Sequence, residues 1–289
     1  MIRIREGKLE DLVAITAFAT DTFSWGDYVP FAYKEWLREP ESRVLVAADD
    51  ADQPLAVAHV RLMSEREGWL SGARVAPAHR RQGIGTRLNH AGADWLASRG
   101  AQVVRLATEE DNAPAQQQVR KLGYRPVATF IYGRREFSHH GTEANGGRRL
   151  PAAEQFDLAP SAEAEPAFAV FSHGELARAG HGLYAPGGWS MRSLHYGDVV
   201  AAARRRQLWT SPSGWIVARL AEGEAWIDLL LTNSEDAAAA TRALVDLAEE
   251  QRLQSLELLV PRIGWLEEAL AAEHVELGHA NIVYERTLV

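Results

Sequence analysis

The chain has 289 residues with no cysteine, 46% hydrophobic and 24% charged residues, and a net charge of −8. That length suits two domains better than one, and the absence of cysteine excludes disulfides, thiolate metal sites and a cysteine nucleophile. An acidic balance without a basic, aromatic-laced tract argues against a nucleic-acid partner, and no run of about 18 apolar residues offers a membrane span.

The acidity is unevenly shared: residues 1–140 carry 19 Lys+Arg against 18 Asp+Glu, and residues 141–289 carry 12 against 21. The opening MIRIREGKLEDL is charged where an export signal is apolar, so the expected location is the cytoplasm. In chain order, IRIRE reads as a strand, and Leu9, Leu12, Ile15 or Thr16, and Ala19 recur at helical spacing. FAYKEWLRE gives a second helix. SRVLVAAD, PLAVAHVRLMS and GWLSGARVAP then read as strands, the last ended by Pro77. Ile84, Leu88, Ala91 and Trp95 mark an amphipathic helix stopped at Gly100. AQVVRLAT is a strand, NAPAQQQVRKL a helix closed by Gly123, and PVATFIYGRREF a strand.

Near the midpoint, SHHGTEANGGRRLPAA (138–153) is small, polar and aperiodic, the pattern of a linker. Its two histidines have no metal-ligand spacing to partners elsewhere, and no metal site is expected. The remainder repeats the first order: QFDLA, helices over 161–180 and 197–206, three strands from LWTS to EAWIDLLLT, and a helix in SEDAAAATRALVDLAEEQ with a serine N-cap. A strand (SLELLV), a helix (GWLEEALAAE) and a strand (ANIVYERTL) complete it. Two copies of one domain account for this order most simply.

One stretch carries chemistry. In VAPAHRRQGIGTRL a strand stops at a proline, and two arginines and two glycines then lead into a helix. The first turn of a helix presents unpaired N–H groups and the positive end of its dipole. Glycine at 83 and 85 removes Cβ atoms that would hold an anion off the backbone. The stretch is neither a Walker loop, which needs Lys-Ser/Thr after its second glycine, nor a dinucleotide fingerprint. On these residues alone, a phosphate cradle and a simple Gly-rich turn stay open.

With its context, the stretch resembles the acyl-CoA pyrophosphate loop of the GNAT superfamily of N-acetyltransferases, Gln/Arg-x-x-Gly-x-Gly/Ala, as Arg80-x-x-Gly83-x-Gly85 preceded by Val75 and Pro77. Asn112, Ala115, Gly123 and Tyr124 in DNAPAQQQVRKLGY are similar to the family's distal helix motif. The resemblance runs over residues 1–137. It implies an α/β (α+β) fold of two GNAT-like domains, each a mixed, mainly antiparallel sheet flanked by helices. Their expected bounds are 1–137 and 154–289, on either side of the 138–153 linker.

The resemblance also implies an acyltransferase that moves an acetyl group from acetyl-CoA, its co-substrate, to an amine of a small molecule by direct transfer. The backbone of Ala73, Arg74 and Val75 would pair with the pantetheine arm. Arg80, Arg81, Gln82, Gly83, Ile84, Gly85 and Thr86 would hold the pyrophosphate. Asn112, with Ala115 in the same motif, would bond the cofactor where the central strands part; N-capping its helix is the other role open to Asn112.

Two positions depart from the pattern. The tyrosine that protonates the leaving thiolate in many members falls on Val119, and Ala115, Val119 and Leu122 read as a core stripe. The glutamate base of histone-type members falls on Trp69. Replacement candidates are Glu67, His59, Tyr124 and Tyr132, and no mechanism is fixed by them. The alternative is a module that senses acyl-CoA without turnover.

The second copy lacks the loop. LLLTNSEDAAAATRAL has no glycine, and Glu235 and Asp236 put negative charge where a pyrophosphate would sit. It is expected to be a degenerate copy, as in tandem members such as the mycothiol synthase type, so that a fused pseudo-dimer serves as a monomer. For the acceptor, TDTFSWGDYVPFAYKEW is the most aromatic stretch, and Trp25, Asp27 and Tyr28 suit a cationic amine with an apolar body. Sealing the first helix pair onto the sheet is the other use for these rings.

Overall fold

The stripe expected from Leu9 to Ala19 forms a 3-10 turn, Leu9–Asp11, and then helix α1, Leu12–Ala19, after strand β1, Arg3–Glu6. Helix α2 spans Val29–Trp36. Ile15, Val29, Tyr33 and Trp36 turn inward onto Val44, Val46 and Val57, while Leu9 and Phe31 stay exposed. Those three valines lie on β2, Ser42–Ala48, and β3, Pro54–Ser64, which run antiparallel with β4, Glu67–Val75. Alternation sends Leu45, Val60 and Leu70 to the other face, against Gly92 of α3, Ile84–Ser98. Then follow β5, Val103–Glu109; α4, Ala113–Lys121; and β6, Arg125–Glu136.

This computed structural model describes residues 1–20, 26–138, 151 and 154–288. The linker assigned from sequence, apart from Ser138 and Pro151, lies outside the described residues, as does Trp25. The chain divides into two compact units that are not contiguous in sequence. Unit 1 comprises Met1–Thr108, Asn112–Pro126 and Tyr284–Val289; unit 2 comprises Glu109–Asp111 and Val127–Val283.

Unit 2 repeats the expected order. It holds β7, Asp157–Leu158; α5, Ala164–His173; α6, Glu175–Ala179; the short pair β8, Leu183–Tyr184, and β9, Arg192–Ser193; and α7, Tyr196–Arg204. After these come β10, Leu208–Ser211; β11, Gly214–Ala221; β12, Glu224–Leu231; α8, Ala237–Glu250; β13, Ser255–Pro261; α9, Gly264–Ala272; and β14, Glu276–Thr287. Its strands lie in the order β14-β6-β13-β12-β11-β10-β7. Those of unit 1 run β1-β2-β3-β4-β5 and then the final residues of β14. Each unit is a mixed, mainly antiparallel sheet flanked by helices.

The two units share details that composition does not fix. The parallel pair β4/β5 is in register from Glu67↔Val103 to Trp69↔Arg105 and then parts. Likewise β12/β13 pairs from Glu224↔Ser255 to Ile227↔Leu258 and then parts. Each preceding antiparallel pair has a bulge beside that divergence. On β4, Gly72 and Ala73 oppose Ala58 between the Val57↔Arg74 and His59↔Ser71 pairs. On β12 the extra residue is Asp228.

Gly72 has φ +62, and a Cβ there would stand 2.5 Å from Trp36 Cη2. Left-handed strain and a buried ring that cannot swing aside together set the cost of Gly72→Ala at about 2 kcal/mol. The expected readout is a lower urea midpoint, and an unchanged midpoint would show that the bulge relaxes freely.

Candidate functional site

The end of β4 is built to present backbone. Beyond Trp69 its β5-side edge has no pairing partner among the described residues, while β3 holds the other edge up to Val75. Ala73 O accepts from Arg74 Nη1 and Val75 O from Arg80 Nε, and this strand end, past the last β4/β5 pair, can take an extended polar chain alongside it as an added strand.

A 3-10 turn, Pro77–His79, follows, and then the loop. Arg81 (φ +62) and Gly83 (φ +76) are both left-handed, with Gly83 at the N-cap of α3. No side chain caps this helix, whose first backbone bond runs from Arg87 N to Gly83 O. The N–H groups of Ile84, Gly85 and Thr86 thus remain to be met, in a concave run of donors that suits an anion. Arg80 and Arg81 are both exposed; Arg80 folds back, donating from Nε to Val75 O at 3.1 Å. Gln82 donates to Ala78 O. A Cβ on Gly85 would meet Gln118 of α4 at 2.9 Å.

At α4, Asn112 Oδ1 accepts from Ala115 N at 3.2 Å, so Asn112 N-caps its helix and its amide nitrogen is left as a donor. The stripe read as core is half-buried: Ala115, Val119 and Leu122 are intermediate, and no residue of α4 is fully buried. Its hydrophobic positions are too few, among glutamines, to be drawn under.

The acceptor candidates separate. Tyr28 Oη accepts from Gly72 N at 3.1 Å, which puts a phenol on the β4 bulge; burial pushes its pKa up, against the Arg74 charge. The side chain of Asp27 is fully enclosed. It holds Arg74 at 2.5 and 3.2 Å and accepts from Val29 N. A carboxylate so committed anchors the strand end rather than facing an incoming amine.

The catalytic candidates are scattered. Glu67 is buried with Arg105, which also holds Glu285 at 2.8 Å. Tyr124 is 3% exposed, donates to Asn89 Oδ1 at 3.2 Å and has its pKa raised by burial. Tyr132 belongs to unit 2, where it lies 5.0 Å from the Trp189 ring; burial, then Glu257, pushes its pKa up to about 12. His59 lies opposite Ser71 on β4, with Nδ1 3.1 Å from Ser71 Oγ. Trp69, at the family's base position, is 2% exposed. Sequence reasoning missed Ser71, Glu39 and the bulge, although a glycine inside the WLSGARV strand pattern is a bulge signal.

Residues 10–124 match the acetyltransferase (GNAT) family. This segment is a GNAT domain. Acetyl transfer with acetyl-CoA as co-substrate is the activity of that family. The chain is 38% identical over 99 residues to the acetyl transferase GW6a of Oryza sativa subsp. japonica, covering 33% of this chain and 22% of that one. It is 36% identical over 92 residues to the mycothiol acetyltransferase of Clavibacter michiganensis, covering 32% and 30%. The chain therefore matches less than a third of each relative's length. Over nearly its whole length it shares the fold of a GCN5-related N-acetyltransferase from Sphaerobacter thermophilus, with TM-score 0.66, 15% identity, and 99% and 95% of the two chains covered.

In unit 2 the corresponding places are filled. Asn233 Oδ1 accepts from the N–H groups of Glu235 and Asp236, and the N-cap of α8 is Asp236, not the serine expected from sequence. At the bulge, Asp228 holds Arg219 and accepts from Gly187 N at 3.0 Å. Beside the β12/β13 divergence, Phe171, Leu176, Tyr184 and Phe130 leave a cavity of about 10 Å³, room for one water at most. Among the described residues no helix is long and apolar enough to cross a membrane, and no cluster of three or more His, Cys, Asp or Glu could hold a metal.

Proposed function

We propose that the chain is an N-acetyltransferase that moves an acetyl group from acetyl-CoA to an amine of a small molecule by direct attack. The carrying observation is the run from the end of β4 at Ala73-Arg74-Val75, past the last β4/β5 pair, into the N-terminus of α3, which no side chain caps. The strand edge pairs with the pantetheine arm, and Arg81, Gly83, Ile84, Gly85 and Thr86 turn donors and charge to the pyrophosphate. Arg80 and Gln82 brace the loop through Val75 and Ala78. Asn112 caps α4 through Oδ1 and donates to the cofactor through its amide nitrogen.

Bound acetyl-CoA supplies the thioester and its leaving thiolate; the protein supplies position, which accounts for much of such a transfer. Tyr28, on the bulge, borders the acceptor. A small-molecule acceptor is in keeping with the likeness to a mycothiol acetyltransferase and with the aromatic α1–α2 stretch. The filled places of unit 2, with Asp228 on its bulge, support cofactor binding by the first copy.

One observation favours a second reading, an acyl-CoA sensor without turnover: the buried Trp69 and the half-buried Val119 carry no titratable group at the family's two positions. Calorimetric titration with acetyl-CoA and thiol release in the presence of primary amines separate the two. Binding with amine-dependent thiol release is expected. Binding without release from any amine selects the sensor, and no binding sinks both.

A further inference from the structure

We propose that Ser71 and His59, with Glu39 behind them, form a proton relay that draws the proton from the acceptor ammonium; the proposal rests on the acetyl-transfer reading above. His59 on β3 and Ser71 on β4 are directly opposed, and the imidazole Nδ1 lies 3.1 Å from the Ser71 hydroxyl. The other ring nitrogen lies 3.5 Å from Glu39 Oε2, and neither of those buried atoms has a closer hydrogen-bond partner among the described residues. The ring is stacked on Trp36 at 4.4 Å with planes 4° apart, which fixes its orientation.

His59 is 4% exposed, whereas Ser71 is only partly covered and immediately precedes Gly72 of the bulge. The Ser71 hydroxyl is therefore the group through which the imidazole reaches the presented edge of β4. This is the strand that the acetyl-transfer reading assigns to the thioester arm, and Tyr28 covers the same bulge. Trp69, two residues back, leaves no other proton acceptor at the family's position.

The surroundings of His59 suit a base. Two charged groups face it: Glu39, which follows α2, and Arg61 of its own strand, 3.7 Å from Glu39. From the other packed elements, α2 contributes the Trp36 ring, β4 contributes Ser71, and β2 opposes His59 with Val44. Burial lowers the imidazole pKa against the pull of Glu39, so the ring is neutral at pH 7. The contact with His59 and the Arg61 charge keep the Glu39 carboxyl below its usual range, against burial. A carboxylate at Nε2 favours the proton there and leaves the Nδ1 lone pair to accept from Ser71.

The ammonium nitrogen passes one proton to Ser71 Oγ as the Ser71 hydroxyl proton passes to His59 Nδ1, giving an imidazolium beside Glu39. The freed amine lone pair forms the C–N bond to the thioester carbonyl carbon, and the C–S bond breaks. The second N–H proton ends on the CoA sulfur, and His59 returns the first to solvent through Ser71. No oxidant, metal or further reactant is needed.

The test uses the full chain with acetyl-CoA and, as acceptor probes, glucosamine, phenethylamine, spermidine and lysine, following thiol release from pH 5 to 9. For the best probe, His59→Gln and Ser71→Ala are expected to lower kcat/KM about 100-fold. They should also move the acid limb, which in the native chain lies below the ordinary imidazole range because His59 is buried, upward toward the pKa of the amine. Ser71→Thr, which keeps a hydroxyl, should recover most of the rate, and the Kd for acetyl-CoA should stay within about twofold in all variants. Should His59→Gln fail to fold, the Ser71→Ala and Ser71→Thr pair decides. Native kcat/KM within about threefold, with an unmoved acid limb, in Ser71→Ala would overturn the relay. Failure of the native chain to bind acetyl-CoA or release thiol overturns the acetyl-transfer reading instead.

Discussion

Exchanging Arg81 for glutamate is expected to weaken acetyl-CoA binding about 100-fold, about 2.7 kcal/mol. Arg81 is exposed and left-handed at φ +62. Glutamate bears the same backbone cost there, so the loss reports charge rather than a remodelled loop. Arg80 is less informative, because its guanidinium also holds Val75 O and removing it loosens the strand end. Arg81→Gln, which deletes a charge without reversing it, should fall near tenfold. Because the site is open to solvent, both losses should shrink as salt rises, with a screening length of about 10 Å at 0.1 M. Equal calorimetric affinity of Arg81→Glu and the native chain would remove the N-terminus of α3 as the pyrophosphate site.

The loop was legible in the sequence because its signals are local. A strand ended by Pro77, two glycines and an apolar stripe in α3 lie within two dozen residues, and the element order followed from periodicity. What stayed hidden depends on partners distant in the chain. Asp27 looked like a counter-charge for an amine, and nothing near it shows that Arg74, 47 residues on, occupies its carboxylate. His59 and Ser71 sit on two strands whose register, shifted by the bulge at Gly72–Ala73, decides that they meet. In α8 the turn is closed by Asn233 because an Asx side chain reaches two N–H groups ahead of it, displacing Ser234 from the cap.

Strand alternation names the face a residue takes but not the neighbour it pairs with. Both β6 and β14 are 12 residues long. Either pattern suits either unit. In the structure β6 runs antiparallel to β13, from Ser255↔Glu136 to Pro261↔Phe130, and Tyr284 onward belongs to unit 1. The last strand of the second copy thus completes the sheet of the first, which a cut at the linker does not foresee.

That ending gives unit 1 a buried ion cluster. Arg105, 5% exposed, donates from Nε to Glu285 Oε2 at 2.9 Å and pairs with Glu67; Arg125 reaches Glu285 Oε1 at 3.2 Å. Arg105→Met is expected to cost about 4 kcal/mol, because it removes the guanidinium that two buried carboxylates share. Glu285→Gln should cost less, about 1–2 kcal/mol, since the amide still accepts one bond and Arg105 keeps Glu67. The triple change Glu67→Gln, Arg105→Met, Glu285→Gln should recover most of the loss, because it removes the charges together rather than orphaning one. Urea midpoints at pH 7 read all three, and a loss below about 1 kcal/mol for Arg105→Met would mean that the cluster is solvated. Arg105 also stands opposite Trp69 at the last β4/β5 pairing. Loosening it frees the strand edge where the two strands part, so Arg105→Met should weaken acetyl-CoA binding as well. Glu10→Gln, an exposed change on the Leu9–Asp11 turn, should leave both readouts unchanged.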